Sequence, residues 1–231
     1  MSAYANSVEV DFFMFDDPSH KAFSNITGKR SIHDSESVSF YKQSLNCEDP
    51  FVISVLEHGL LMPICQNIPE YEEENNRSAN ENLSFLQDKV EKWESQNYVA
   101  KVTEKPHSVS PLSVASKVNL QTGETKLRPC LDLSRHVNLF LQEKPVKLSD
   151  LDSSAVLLDP GDWQMALDLE NQYFHVRVNP SHQKYLGFKL EDRKGKSHYY
   201  TFRVMIYGIK IATSIVTRLI KPIVSTSQRR Y

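Results

Sequence analysis

At about residue 105 the apolar pattern of this chain changes period, and that change bounds the fold more tightly than any residue count. Before it, Leu83, Leu86, Val90 and Trp93 fall three and four apart and make one helical stripe. Ser78-Ala79-Asn80-Glu81 has the S-x-x-E form of a capping box, which starts that helix at Ser78. Gln96-Asn97 ends it, and a short strand over Tyr98–Val102 follows. After it come strands and turns: Pro111–Ala115, a hairpin turn at Gln121-Thr122-Gly123-Glu124, and a returning strand over Leu127–Leu133. Leu148–Leu151 begins a short helix, and Trp163–Leu169 is an apolar strand that contains Asp168. Tyr185–Leu190 and Tyr199–Met205 are strands joined by the polar turn Arg193-Lys194-Gly195-Lys196. The last element, about Thr213–Ser225, reads as a helix with Pro222 near its end. Helix, hairpin, then a strand-rich part closed by a helix is an α+β pattern.

The 231 residues divide into three parts. Residues 1–50 are rich in Ser, Asp, Asn and His and read as a poorly ordered extension. Residues 51–77 read as a short helix stopped at Gly59, then an extended connector with Pro63, Pro69 and the acidic run Glu72-Glu73-Glu74. Residues 78–231 carry the α+β pattern.

The net charge of −2 hides an asymmetry. Residues 1–100 hold 7 basic and 17 acidic side chains, and residues 181–231 hold 11 and 2. A basic end attracts a phosphate backbone, and an acidic region can dock a protein partner or simply be solvated surface. Seven glycines leave no Gly-rich phosphate loop. Cys47, Cys65 and Cys130 are widely spaced and odd in number, which argues against a disulfide framework or a cysteine zinc site. No apolar run follows Met1 and none is long enough to span a bilayer, so an intracellular location, cytoplasmic or nuclear, is expected.

Asp168 closes the apolar run Met165-Ala166-Leu167. A carboxylate fixed at a strand end can face a cleft and ligate Mg²⁺, which prefers hard oxygen ligands. Such an aspartate also caps turns, and spacing alone does not separate the two readings. The stretch Ala166-Leu167-Asp168-Leu169-Glu170-Asn171-Gln172-Tyr173-Phe174-His175-Val176 resembles the first palm motif of reverse transcriptases. Lys126-Leu127-Arg128-Pro129-Cys130-Leu131-Asp132-Leu133-Ser134-Arg135 resembles that family's fingers strand, and Val204-Met205-Ile206-Tyr207-Gly208-Ile209-Lys210-Ile211-Ala212-Thr213 resembles its next palm motif. The helix from Ser78 resembles its lead-in helix, so the likeness covers roughly residues 50–231.

The resemblance implies an RNA-directed DNA polymerase of a retroelement, with the fingers and part of the palm of the right-hand polymerase fold. It implies that Asp168 is catalytic and ligates Mg²⁺ or Mn²⁺, and that Arg128 and Lys117 contact the triphosphate of a deoxynucleotide. It implies that Tyr173 lies under the incoming sugar and excludes a 2′-hydroxyl. Tyr207 would line the nucleotide and template pocket, with Gly208 allowing close backbone approach. The partners implied are an RNA or DNA template–primer and a deoxynucleoside triphosphate. Gln172, Ile206, Thr213 and Val216 depart from the family pattern, and Asn138 stands one residue later than the family's Asn. The family also needs an aromatic-x-Asp-Asp hairpin, and no Asp-Asp follows Asp168. The expectation is therefore a fragment that stops before the palm is complete and is catalytically incomplete alone. A nucleic-acid-binding remnant and a protein-interaction module are the alternatives.

Overall fold

The computed structural model describes residues 35–118, 120, 123–142, 145–146, 169 and 171–228. It is a mixed α+β structure around a mixed sheet. Ser35–Ser39 form helix α1, continued by a π-helical turn over Phe40–Ser44. This segment lies inside the stretch 1–50 expected to be loose, yet Tyr41 is buried and its hydroxyl donates to the Leu219 carbonyl at 3.1 Å. Val38, Leu45 and Cys47 pack against the core beside Tyr41, so from residue 35 onward the segment contributes apolar contacts to it.

Helix α2, Pro50–His58, starts where sequence chemistry places it. The Asp49 side chain accepts from the Phe51 N–H, Pro50 occupies the first turn, and Gly59 at φ +79° ends the helix. The connector that follows is more than a linker. Tyr71–Glu72 form strand β1, parallel to β3 (Ser108–Val109). Asn75 Oδ1 accepts from the Leu112 N–H at 2.8 Å while its Nδ2 donates to the Lys189 carbonyl at 2.9 Å.

The expected helix from Ser78 is split. Arg77–Asn80 form α3, a turn follows at Glu81-Asn82, and α4 runs over Leu83–Ser95. The Ser78 hydroxyl does not cap: it accepts from the Val114 N–H at 3.1 Å, and Glu81 pairs with Arg77. A tertiary backbone donor outcompetes the local cap for that hydroxyl. The stripe on α4 is as read, with Leu86, Val90 and Trp93 buried, each contributing roughly 1.5–3 kcal/mol.

Strand β2, Val99–Val102, forms one edge of the five-stranded sheet. Strands β4 (Leu112–Val118) and β5 (Thr125–Leu131) form a separate antiparallel hairpin. After helix α5, Pro180–Gln183, strands β6 (Gly187–Glu191) and β7 (Ser197–Phe202) complete the sheet in the order β1-β3-β6-β7-β2. The β1, β3 and β6 neighbours run parallel, and β6–β7 and β7–β2 run antiparallel. Helix α6, Ala212–Gln228, contains Pro222; Ile215, Val216 and Leu219 are buried, whereas Ile223 and Val224 beyond Pro222 are exposed. Among the described residues no helix is long and apolar enough to cross a membrane. The expected elements over Leu148–Leu151 and Trp163–Asp168 lie outside the described residues.

Candidate nucleotide site

The hairpin register decides which of its charges act together. Lys117 pairs with Lys126 and Ala115 with Arg128, so the three cations share one face, because directly opposed residues and alternate residues of a strand point the same way. The other face carries Leu112, Val114 and Leu131, all buried, with Leu127 and Pro129 half-buried. Burial of that apolar face turns Lys117, Lys126 and Arg128 to solvent, where all three are exposed. Lys117 and Arg128 are the cations that the family resemblance singles out, and period-two spacing from Arg128 adds Lys126 once the strand is accepted. Like charges directly opposed in a hairpin repel, and a bound polyanion offsets that cost. Cys130 lies on this face, its thiol pushed up mainly by burial, with Arg128 opposing.

The second part of the site is built around the 3₁₀ turn Gln172–His175, entered through Asn171 in the left-handed region. The turn sends Phe174 inward, against Trp93 at 5.6 Å and Tyr98 at 5.2 Å between ring centroids. Tyr173 is half-buried and packs edge-to-face on Tyr207 with centroids 5.0 Å apart. Its hydroxyl lies 3.3 Å from Thr213 Oγ1. The two tyrosines singled out from separate motifs therefore meet.

Gly208 has φ +113°, and a Cβ at that position would overlap the Leu131 carbonyl oxygen. The close backbone approach expected at Gly208 is thus made to the chain's own β5 strand. The Leu131 N–H donates to the Tyr207 carbonyl at 3.2 Å, which joins the base of the basic hairpin to the segment that carries Tyr207. Asn138 stands one residue later than the family's Asn, yet its side chain reaches the same segment: Nδ2 donates to the Gly208 carbonyl at 2.7 Å and Oδ1 accepts from the Lys210 N–H at 3.0 Å. Only the fold could reveal that link, because 70 residues separate Asn138 from Gly208.

Asp168 lies outside the described residues. Among the described residues no group of three or more His, Cys, Asp or Glu is placed to hold a metal ion. Two open clefts lie elsewhere: one of about 270 Å³ beside Asp49, Arg218 and Lys221, and one of about 730 Å³ beside Lys101, His107 and Lys184. Neither of these two is lined by the tyrosine pair or the hairpin cations. No protein-family model matches the chain, and no curated protein sequence matches it. The chemistry available is that of an anion-binding face linked, through a hydrogen-bonded strand end, to a paired-tyrosine surface.

Proposed function

We propose that this chain is part of a retroelement reverse transcriptase and holds a deoxynucleoside triphosphate against an RNA or DNA template–primer. One observation carries the proposal. Three segments far apart in sequence, Lys126–Leu131, Tyr173-Phe174 and Tyr207-Gly208, are joined by the Leu131–Tyr207 hydrogen bond and the Tyr173–Tyr207 ring contact. They are the segments in which the sequence resembles that family. Arg128 offers a planar, two-pronged donor and Lys117 and Lys126 offer point charges, a set suited to a triphosphate. Tyr173 supplies the flat, rigid surface for the sugar, where a 2′-hydroxyl would clash. Mg²⁺ or Mn²⁺ belongs to the proposal through Asp168, whose carboxylate would offer it a hard oxygen ligand. The activity proposed for these residues is the binding step, in which the hairpin cations meet the triphosphate and Tyr173 meets the sugar.

The test is calorimetric titration of the chain with dATP in the presence of a primer–template and Mg²⁺. Saturable binding is expected, weakened roughly tenfold or more by Arg128→Ala. Absence of binding, or an unchanged affinity in Arg128→Ala, overturns the reading.

A further inference from the structure

We infer that Asn138 is a positioning residue that clamps the loop behind Tyr207 and so sets that ring against Tyr173 for sugar discrimination; the inference rests on the nucleotide reading above. Residues 207–210 lie in turns between β7 and α6 and have no ladder of their own. Their backbone groups are instead held from outside. The Tyr207 carbonyl accepts from Leu131, the Gly208 carbonyl accepts from Asn138, and the Lys210 N–H donates to Asn138. A side-chain amide is suited to the last two together, because it presents a donor and an acceptor side by side. The partners also settle its orientation: nitrogen must face the Gly208 carbonyl, and oxygen the Lys210 N–H.

The clamp has a firm base. Asn138 sits on the short 3₁₀ turn Val137–Phe140, and its own N–H donates to the Leu133 carbonyl at 3.0 Å. At the start of the turn, His136 stacks on Tyr71 with centroids 3.7 Å apart, and its Nε2 lies 2.7 Å from Glu73 Oε1. A strand of the five-stranded sheet and its neighbouring residue thereby brace the turn, and the turn braces the loop. Freeing Gly208 and Lys210 loosens the backbone on which Tyr207 rides while leaving the outward face of the hairpin untouched. The two parts of the site are therefore separable: the triphosphate contacts belong to Lys117, Lys126 and Arg128, and the sugar surface depends on Asn138.

The experiment measures affinity for dATP, ATP and inorganic tripolyphosphate in the full chain and in Asn138→Ala and Asn138→Asp. Asp has nearly the shape of Asn but cannot donate to Gly208, so a space-filling role would leave Asn138→Asp unaffected. Both variants are expected to lose roughly fivefold or more in the dATP-to-ATP preference while binding tripolyphosphate within about twofold of the unsubstituted chain. Hydrogen exchange at the Lys210 amide is expected to speed up in Asn138→Ala, which reads the clamp without any nucleotide. Full discrimination in Asn138→Asp overturns the inference, as does equal loss of tripolyphosphate and dATP binding or unchanged Lys210 exchange. If the unsubstituted chain binds tripolyphosphate without preferring dATP, the inference fails while the triphosphate half of the functional reading stands. If it binds none of the three, the functional reading fails and the inference with it.

Discussion

The basic residues of the β4–β5 hairpin and those of the C-terminal strands and helix are in opposite circumstances. Lys117, Lys126 and Arg128 share an exposed face and meet no carboxylate among the described residues. Lys189, by contrast, lies 2.6 Å from Glu74 and 3.2 Å from Glu72. Arg193 pairs with Asp88 and Glu91, and Arg218 makes two hydrogen bonds to Asp49. The strongly basic segment 181–231 therefore has several of its charges met by acids from the strongly acidic segment 1–100. Formal charge along a sequence and charge available to a ligand are different quantities. The modest +3 of residues 101–150 supplies the cluster left open, while part of the +9 of residues 181–231 is neutralised within the fold.

The largest effect is expected at the seam between the two regions. Gly208 lies where the C-terminal segment touches the end of β5, at positive φ, with the Leu131 carbonyl oxygen occupying the space a Cβ would need. Gly208→Ala combines backbone strain with overlap, and a loss of roughly 3 kcal/mol or more in unfolding free energy is expected by denaturant titration. A cost below about 1 kcal/mol would mean that the hairpin and the C-terminal segment are not held together there.

The next test compares the two sets of cations directly. Replacing Lys126 and Arg128 together with Ala is expected to weaken tripolyphosphate binding roughly tenfold or more and to change the melting temperature little. Replacing Lys189 and Arg193 together is expected to do the reverse, lowering the melting temperature while leaving affinity within about twofold, because those charges are already matched. Equal losses of affinity in the two double variants would break the comparison.

Much of this arrangement was legible in the sequence wherever a pattern is local. The α4 stripe, the pairing of β4 with β5 and the β6–β7 pair all follow from the alternation or spacing of neighbouring residues. What was not legible depends on groups distant in the chain. Ser78, Asn75 and Asn76 look like a cap and a linker, but they bond to Val114, to Leu112 and Lys189, and to Asp132. Asn138 looks like a misplaced motif residue until Gly208 and Lys210 are set beside it. The acidic run Glu72-Glu73-Glu74 looks like a solvated connector, yet Glu72 and Glu74 meet Lys189 and Glu73 meets Arg135 and His136. Short polar side chains have many possible partners, and local sequence carries no record of which one the fold will bring near. Asp168, the first residue the sequence singles out, falls outside the described residues and so bears on neither side of this comparison.

The smallest effect concerns whether a matched cation adds stability at all. The Arg218 hydrogen bonds, helped by the Phe51 N–H and opposed by partial burial, hold the Asp49 carboxyl below the usual carboxylate range. A carboxyl lowered in the fold contributes stability that is fully present above its unfolded pKa of about 3.9 and is lost as pH falls through the folded value. Arg218→Ala should thus be destabilising at pH 7, by about 1 kcal/mol after allowance for the exposure of both side chains, or roughly 2–4 °C in melting temperature. The difference from the unsubstituted chain should narrow as pH drops below about 4. It should not vanish, because the Arg218 guanidinium also stacks 4.4 Å from the Phe51 ring centroid, a contact that does not titrate in this range. A difference that stays constant from neutral to acid pH would assign all of it to that stacking and none to the ion pair. In that case Asp49 would add no stability through Arg218, and the C-terminal cations would differ from those of the hairpin only in being unavailable to a ligand.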